Sequence, residues 1–265
     1  VAVRNSLRFG NLEDSRSRYL FDGVVAGIGG YGNCVGIPTV GGEIYFDECY
    51  RGNPLVNAMC VGVMPLERLV LGKASGEGNL VLLVGARTGR DGIHGVTFAS
   101  EELSEASDEK RPAVQVGDPF MGKLLMEATL EAIEKGLVTG VQDFGGAGLT
   151  CALTETASRA GMGIGIDLEK VPLREADMEP FEILTSESQE RMLLIVEPEK
   201  LEAVNEVFAR WELKPAILGQ VTDDGMVTAR YRGEEIVRVP AASVAGGAPA
   251  YNPQGKKPPY TDELA

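Results

Sequence analysis

Short apolar runs bounded by turn residues recur along this chain. Between them lie stretches whose apolar residues fall three to five positions apart. The first pattern reads as buried strands, the second as helices packed on one side. Within the first 63 residues, positions 13–25 have helical spacing, with Tyr19, Leu20 and Val24 inward. Strands are expected around 43–47 and 56–63, separated by the turn residues Arg51-Gly52-Asn53-Pro54. Val1-Ala2-Val3 looks like a strand interior and carries no initiator Met, so the expectation is a segment of a longer or processed chain.

Beyond residue 63 the two patterns alternate. Strands are expected at 81–86, 138–143, 191–196 and 216–222, with a closing hairpin from 227–231 and 236–239. Helices are expected at 119–135, 149–160 and 199–211, the first two ended by Gly136 and Gly161. A short segment at 96–103 and an acidic loop over 103–111 precede the first of these helices. The alternation predicts an α/β, or layered α+β, fold, with the three helices on one face of a mixed sheet. Residues 244–265, rich in Gly and Pro, suit a linker or frayed tail.

Composition narrows the function classes. The 265 residues are 44% apolar and 24% charged, enough for a real core. There are 25 Lys and Arg against 39 Asp and Glu, a formal charge of −14. That argues against nucleic acid and anionic membrane as partners, since both need a basic face. No apolar run approaches a bilayer span, and no signal peptide is visible. Cys34, Cys49, Cys60 and Cys151 are widely spaced without a CxxC, and His94 is the single histidine. A Cys/His zinc site is therefore improbable, and the cysteines read as buried small residues in a reducing cytoplasm.

Several stretches carry candidate chemistry. Gly27-x-Gly29-x-x-Gly32 spells a dinucleotide-binding pattern, but no strand precedes it and Pro38 and Gly41-Gly42 follow, so a tight turn is expected instead. In Gln142-Asp143-Phe144-Gly145-Gly146-Ala147-Gly148, a carboxylate ends an apolar strand and glycines lead into a helix. Asp143 either holds Mg²⁺ beside a phosphate at the helix N-terminus or caps the turn. The polar run 185–191 is either an exposed loop or a ligand clamp offered by Glu187, Ser188 and Gln189. Asp118 and Pro119 read as N-cap and first helical residue. Gln115, at the end of a short strand over 114–116, faces either solvent or a pocket. His94, in the Gly-rich turn 88–95, is structural or a ligand, and one histidine makes no triad.

Five segments in this order change the picture: FDGVVAGIGGYGNCVGIPTVGGEIYFD, GRDGIHGVTFAS, VQVGDPF, QDFGGAGLTCAL and LTSESQERML. Together they resemble the small-type synthetase subunit of the phosphoribosylformylglycinamidine synthase family over nearly the whole chain. The resemblance implies the aminoimidazole-ribonucleotide-synthetase-like superfamily fold. It implies the C-terminal part of a first A domain at 1–63, a complete first B domain at 64–243 and a linker at 244–265. It implies a cytoplasmic, ATP-dependent ligase of purine biosynthesis, converting formylglycinamide ribonucleotide, ATP and glutamine-derived ammonia to the amidine, ADP and phosphate. By the same resemblance Gln115, Glu187, Ser188 and Gln189 bind the ribonucleotide, and Asp143 is a Mg²⁺ ligand of the ATP site. The remainder of the synthetase chain, a glutaminase subunit and a small accessory subunit are the implied partners. The family's catalytic histidines lie in upstream motifs with no counterpart here, so no catalytic residue is assigned and the fragment alone is expected to be inactive. The alternatives are a non-catalytic binding or assembly module and a related ATP-dependent phosphotransferase.

Overall fold

The computed structural model describes residues 1–93 and 115–258. The expected segment at 96–103, the acidic loop and His94 lie outside the described residues.

The described residues build two sheets. In the first, β1 (Ala2–Phe9) runs parallel to β2 (Thr39–Phe46) on one side and antiparallel to β3 (Leu55–Val61) on the other. One helix, α1 (Ser15–Val35), connects β1 to β2. It packs through an edge-on aromatic chain, Phe9 to Phe21 at 5.3 Å and Phe21 to Phe46 at 5.8 Å. Leu7 and Phe9 are buried, but every residue of β2 and β3 is exposed.

The glycines at 27–32 are not a turn. They lie inside α1, which starts on Asp14, whose carboxylate accepts from the Ser17 amide. It ends on Gly36, in the left-handed region with its N–H on the Gly32 carbonyl. Strong caps at both ends keep a helix through a weak interior. A Cβ at Gly27, Gly29 or Gly30 would meet nothing within 4 Å, so no contact among the described residues requires glycine there.

The second sheet has seven strands in the order β10-β9-β6-β8-β4-β7-β5. These are β4 (Leu80–Gly85), β5 (Gly140–Asp143), β6 (Gly163–Asp167), β7 (Arg191–Val196), β8 (Ala216–Thr222), β9 (Met226–Tyr231) and β10 (Glu234–Pro240). All pairs are antiparallel except β6 with β9. The longer helices are α2 (Pro119–Glu134), α3 (Gly148–Ala160) and α5 (Leu201–Arg210); α4 (Pro180–Thr185) and α6 (Ala241–Gly246) are single short turns.

The helices do not share one face, contrary to expectation. Val81, Leu83, Leu193 and Ile195 pack under α3, while Leu82, Val84, Leu194 and Val196 pack under α2 and α5. The cause is in the strands: β4 and β7 are apolar at successive positions, so both pleat faces need cover. Beyond them, the α2/α5 side of β6, β8 and β9 is left open, a groove edged by Gly165, Gln220, Thr228 and Arg230.

Other expectations need correction. The four cysteines are free, but Cys34, Cys49 and Cys60 are exposed and Cys151 is half-buried. Cys60 sits on β3, an element without cover. No strand occupies 115–118, which is irregular up to α2. The last helix, α6, starts on the buried Ala241 and ends at Gly246.

Candidate functional site

Strand pairing brings the candidate residues to one end of the large sheet. Gly85 of β4 pairs with Arg191 of β7, and Asp143 of β5 pairs with Met192. The loop after β4, the run before β7 and the turn after β5 therefore meet.

The polar run before β7 is an interior structure rather than an exposed loop. Ser186, Glu187, Ser188 and Arg191 are all at most 5% exposed. Arg191 organises it. Its Nε donates to the Ser188 carbonyl at 2.8 Å, Nη2 to the Ser186 carbonyl at 2.6 Å and Nη1 to Thr88 Oγ1 at 2.9 Å. Its guanidinium lies 4.6 Å from the Phe144 ring centre. Burial pushes its pKa down to about 10, against the pull of the Asp91 and Glu187 charges. Asp91, also buried, accepts from Arg174 at 2.7 Å and from the Ser188 hydroxyl. Ser186 Oγ donates to the Gly89 carbonyl at 2.6 Å.

On this platform stands a chain of side-chain hydrogen bonds. Glu187 Oε1 accepts the Ala147 amide at 2.9 Å, and Oε2 accepts Gln115 Nε2 at 2.7 Å. Gln115 Oε1 in turn accepts Gln189 Nε2 at 2.6 Å. The anion seated at the α3 N-terminal turn is thus the protein's own Glu187 carboxylate, at the end of the helix that favours negative charge. Close approach makes this possible: Gly148 has φ +52, and a Cβ there would sit 1.8 Å from the Ser186 carbonyl oxygen.

Asp143 is exposed at the end of β5, and its Oδ1 accepts Gln142 Nε2 at 2.8 Å. Gln142 is held by Arg159 Nη1 at 2.8 Å. Asp143 and Gln189 line one cavity of about 490 Å³ between α2 and the β5–β7 edge, shared with Phe144, Glu190 and Met192. The structure therefore brings Gln115, Glu187, Gln189 and Asp143 together. Ser188 differs, because its side chain turns inward to Asp91. The residues that sequence reasoning missed are the supports, Asp91, Arg174 and Arg191. Arg191 carried a signal: a lone cation between a polar run and an apolar strand.

Among the described residues no three His, Cys, Asp or Glu stand together as a metal cluster. Mg²⁺ commonly takes one or two carboxylates and completes its shell with phosphate oxygens and water. Asp143, a single accessible hard carboxylate, fits that share and no more.

Comparison with known proteins gives consistent matches. Residues 1–64 match the family of AIR synthase related protein, N-terminal domain, and residues 76–232 match its C-terminal domain. The chain is 55% identical over 264 residues to phosphoribosylformylglycinamidine synthase subunit PurL of Thermoanaerobacter sp. (strain X514), spanning 36% of that relative's length. T. maritima PurL complexed with FGAR superposes with a TM-score of 0.84 at 40% identity, covering 97% of this chain and 42% of that one. T. maritima PurL complexed with ATP gives 0.82 at 37% identity, covering 97% and 40%.

Proposed function

The chain belongs to the AIR synthase related protein family, and from that premise we propose that it supplies part of an ATP-dependent ligase of purine biosynthesis. The reaction joins glutamine-derived ammonia to formylglycinamide ribonucleotide. The γ-phosphoryl group of ATP passes to the formylglycinamide amide oxygen, ammonia adds at the amide carbon, and phosphate leaves with the former amide oxygen. The products are the amidine, ADP and phosphate.

In this reading Gln115, Glu187 and Gln189 hold the ribonucleotide. The observation that carries it is their unbroken hydrogen-bond chain, mounted on the buried Arg191 and Asp91 at a strand end, where layered α/β folds place ligands. An amide chain of this kind can exchange one internal partner for a ligand hydroxyl without leaving a polar atom unpaired. Ser188 serves by its backbone and by tying the loop to Asp91. Asp143 would hold Mg²⁺, and Gln142 with Arg159 sets its carboxylate orientation. When bound, Mg²⁺ neutralises phosphate charge and orients the polyphosphate. The division at 1–63, 64–243 and 244–265, a cytoplasmic location, and the glutaminase and small accessory subunits as partners belong to the same reading. The bare β2 and β3 surface supports the remainder of the synthetase chain as a further partner.

No catalytic group is assigned to this chain, so it should bind without turning over. Titration calorimetry with formylglycinamide ribonucleotide is expected to show saturable binding, and an assay with ATP and ammonia no amidine. Contaminant-free amidine formation by this chain would overturn the assignment of the catalytic groups elsewhere. Absence of ribonucleotide binding would overturn the clamp.

A further inference from the structure

Tyr31 stands in the glycine-rich stretch of α1, in the first sheet's unit, yet its hydroxyl reaches the second. Its hydroxyl donates to Glu190 Oε1 at 2.8 Å, across 159 residues of sequence. Glu190 directly follows Gln189 and precedes Arg191. It is a non-glycine residue with φ +56, a strained conformation that persists only when its surroundings hold it. Its carbonyl accepts the Ala86 amide at 2.9 Å. The tyrosine end is equally fitted. A Cβ on Gly117, two residues after Gln115, would lie 1.9 Å from the Tyr31 hydroxyl oxygen, so that oxygen fills the space a side chain would take. Burial and the Glu190 carboxylate push the Tyr31 pKa up to about 12, so the hydroxyl keeps its proton and remains a donor.

Gln115 and Gln189 are long side chains held mainly by each other and by Glu187. Tyr31 touches both ends of that pair's backbone setting, Gly117 on one side and Glu190 on the other. We propose that Tyr31 is a positioning residue for the ribonucleotide clamp, acting from α1 through Glu190 on Gln189 and Gln115. This rests on the ribonucleotide reading of the clamp. It also gives the Gly-Gly-Tyr-Gly stretch a function that the dinucleotide pattern does not: presenting one phenol to the neighbouring unit.

The test uses the chain with Tyr31→Phe, Glu190→Ala, Glu190→Gln and Gln115→Ala. Two readouts are taken, the side-chain amide signals of Gln115 and Gln189 in nitrogen-edited NMR spectra and the affinity for formylglycinamide ribonucleotide by calorimetry. Tyr31→Phe, which keeps the ring, should move both glutamine signals and weaken binding about two- to tenfold, the range for one lost hydrogen bond. Glu190→Ala should reproduce it, while Glu190→Gln, which keeps an oxygen acceptor, should restore near wild-type signals and affinity. Unmoved glutamine signals in Tyr31→Phe overturn the proposal. So does unchanged affinity in Tyr31→Phe where Gln115→Ala binds weakly. If the unaltered chain binds no ribonucleotide, the functional reading fails, and the glutamine signals alone then decide whether Tyr31 sets the clamp.

Discussion

Arg191 shows what a single side chain holds at this site. Truncating it to Met keeps much of the volume but leaves two carbonyls and Thr88 without their donor, and Glu187 without a neighbouring cation, while Asp91 keeps Arg174. Removing one side of a buried charge set typically costs about 3–5 kcal/mol, and urea unfolding of Arg191→Met should show a loss of that order. Gln115→Ala is different in kind. Gln115 is exposed, so stability should move little, while ribonucleotide affinity should fall by about 1–3 kcal/mol if a buried partner is left unpaired. Calorimetry and unfolding on the same variant separate the two effects. At this scale the candidates Glu187 and Gln189 were legible as polar residues at the entrance of β7, whereas Gln115 was read on a strand that residues 115–118 do not form. Their supports were not legible, because Asp91 and Arg174 become neighbours only where the loop after β4 bridges through Thr88 to 172–174. Ser188 was legible as a hydroxyl, but nothing in the local pattern says that it turns inward.

Between elements, Glu131 is the clearest tether. It lies on α2 and accepts from Lys135 at 2.6 Å and from Trp211 Nε1 at 2.9 Å, and it also pairs with Arg210 at the end of α5. These donors, Lys135 foremost and then Trp211, lower its pKa from 4.5 to about 2. A carboxylate depressed on folding stabilises the native state above its unfolded pKa, and that contribution is lost as pH falls through the folded value. Thermal melts should therefore show a loss between about pH 4.5 and 2 that Glu131→Gln flattens, whereas the variant's deficit should be fully present at pH 6. Most elements were readable from spacing: β7 and β8 fall at their expected bounds, and α2 and α3 within a residue. The misses have causes. In β6 two glycines thin the alternation of Ile164 and Ile166. In α1 the caps at Asp14 and Gly36 outweigh a glycine-rich interior. The expectation of helices on one face overlooks that β4 and β7 carry apolar residues on both.

At the scale of the whole molecule the two sheets are unequal. The larger is covered on both faces over its central strands. The smaller exposes Ile44, Tyr45, Val56 and Met59, each at least 43% accessible. Exposed apolar surface beside unpaired strand edges promotes association. Analytical ultracentrifugation should find this chain self-associating, and a hydrophobic dye should bind it. Met59→Lys, which sets a charge in that surface, should shift the chain toward monomer and lower dye fluorescence with little change in melting temperature. A monodisperse monomer without dye binding would show that the surface is covered within the chain.

The apolar runs of β4 and β7 have a consequence for how the molecule opens. Each strand contributes alternate residues to both cores, so neither core can loosen without disturbing the strands shared with the other. Amide protons of 81–84 and 193–196 should therefore exchange with deuterium only when the whole large sheet unfolds. Those of β2 and β3, with no buried residue, should exchange through small local openings, orders of magnitude faster. Tyr31 bridges these two regimes, so the protection of Glu190 and its neighbours should depend in part on the breathing of a helix that belongs to the more labile unit.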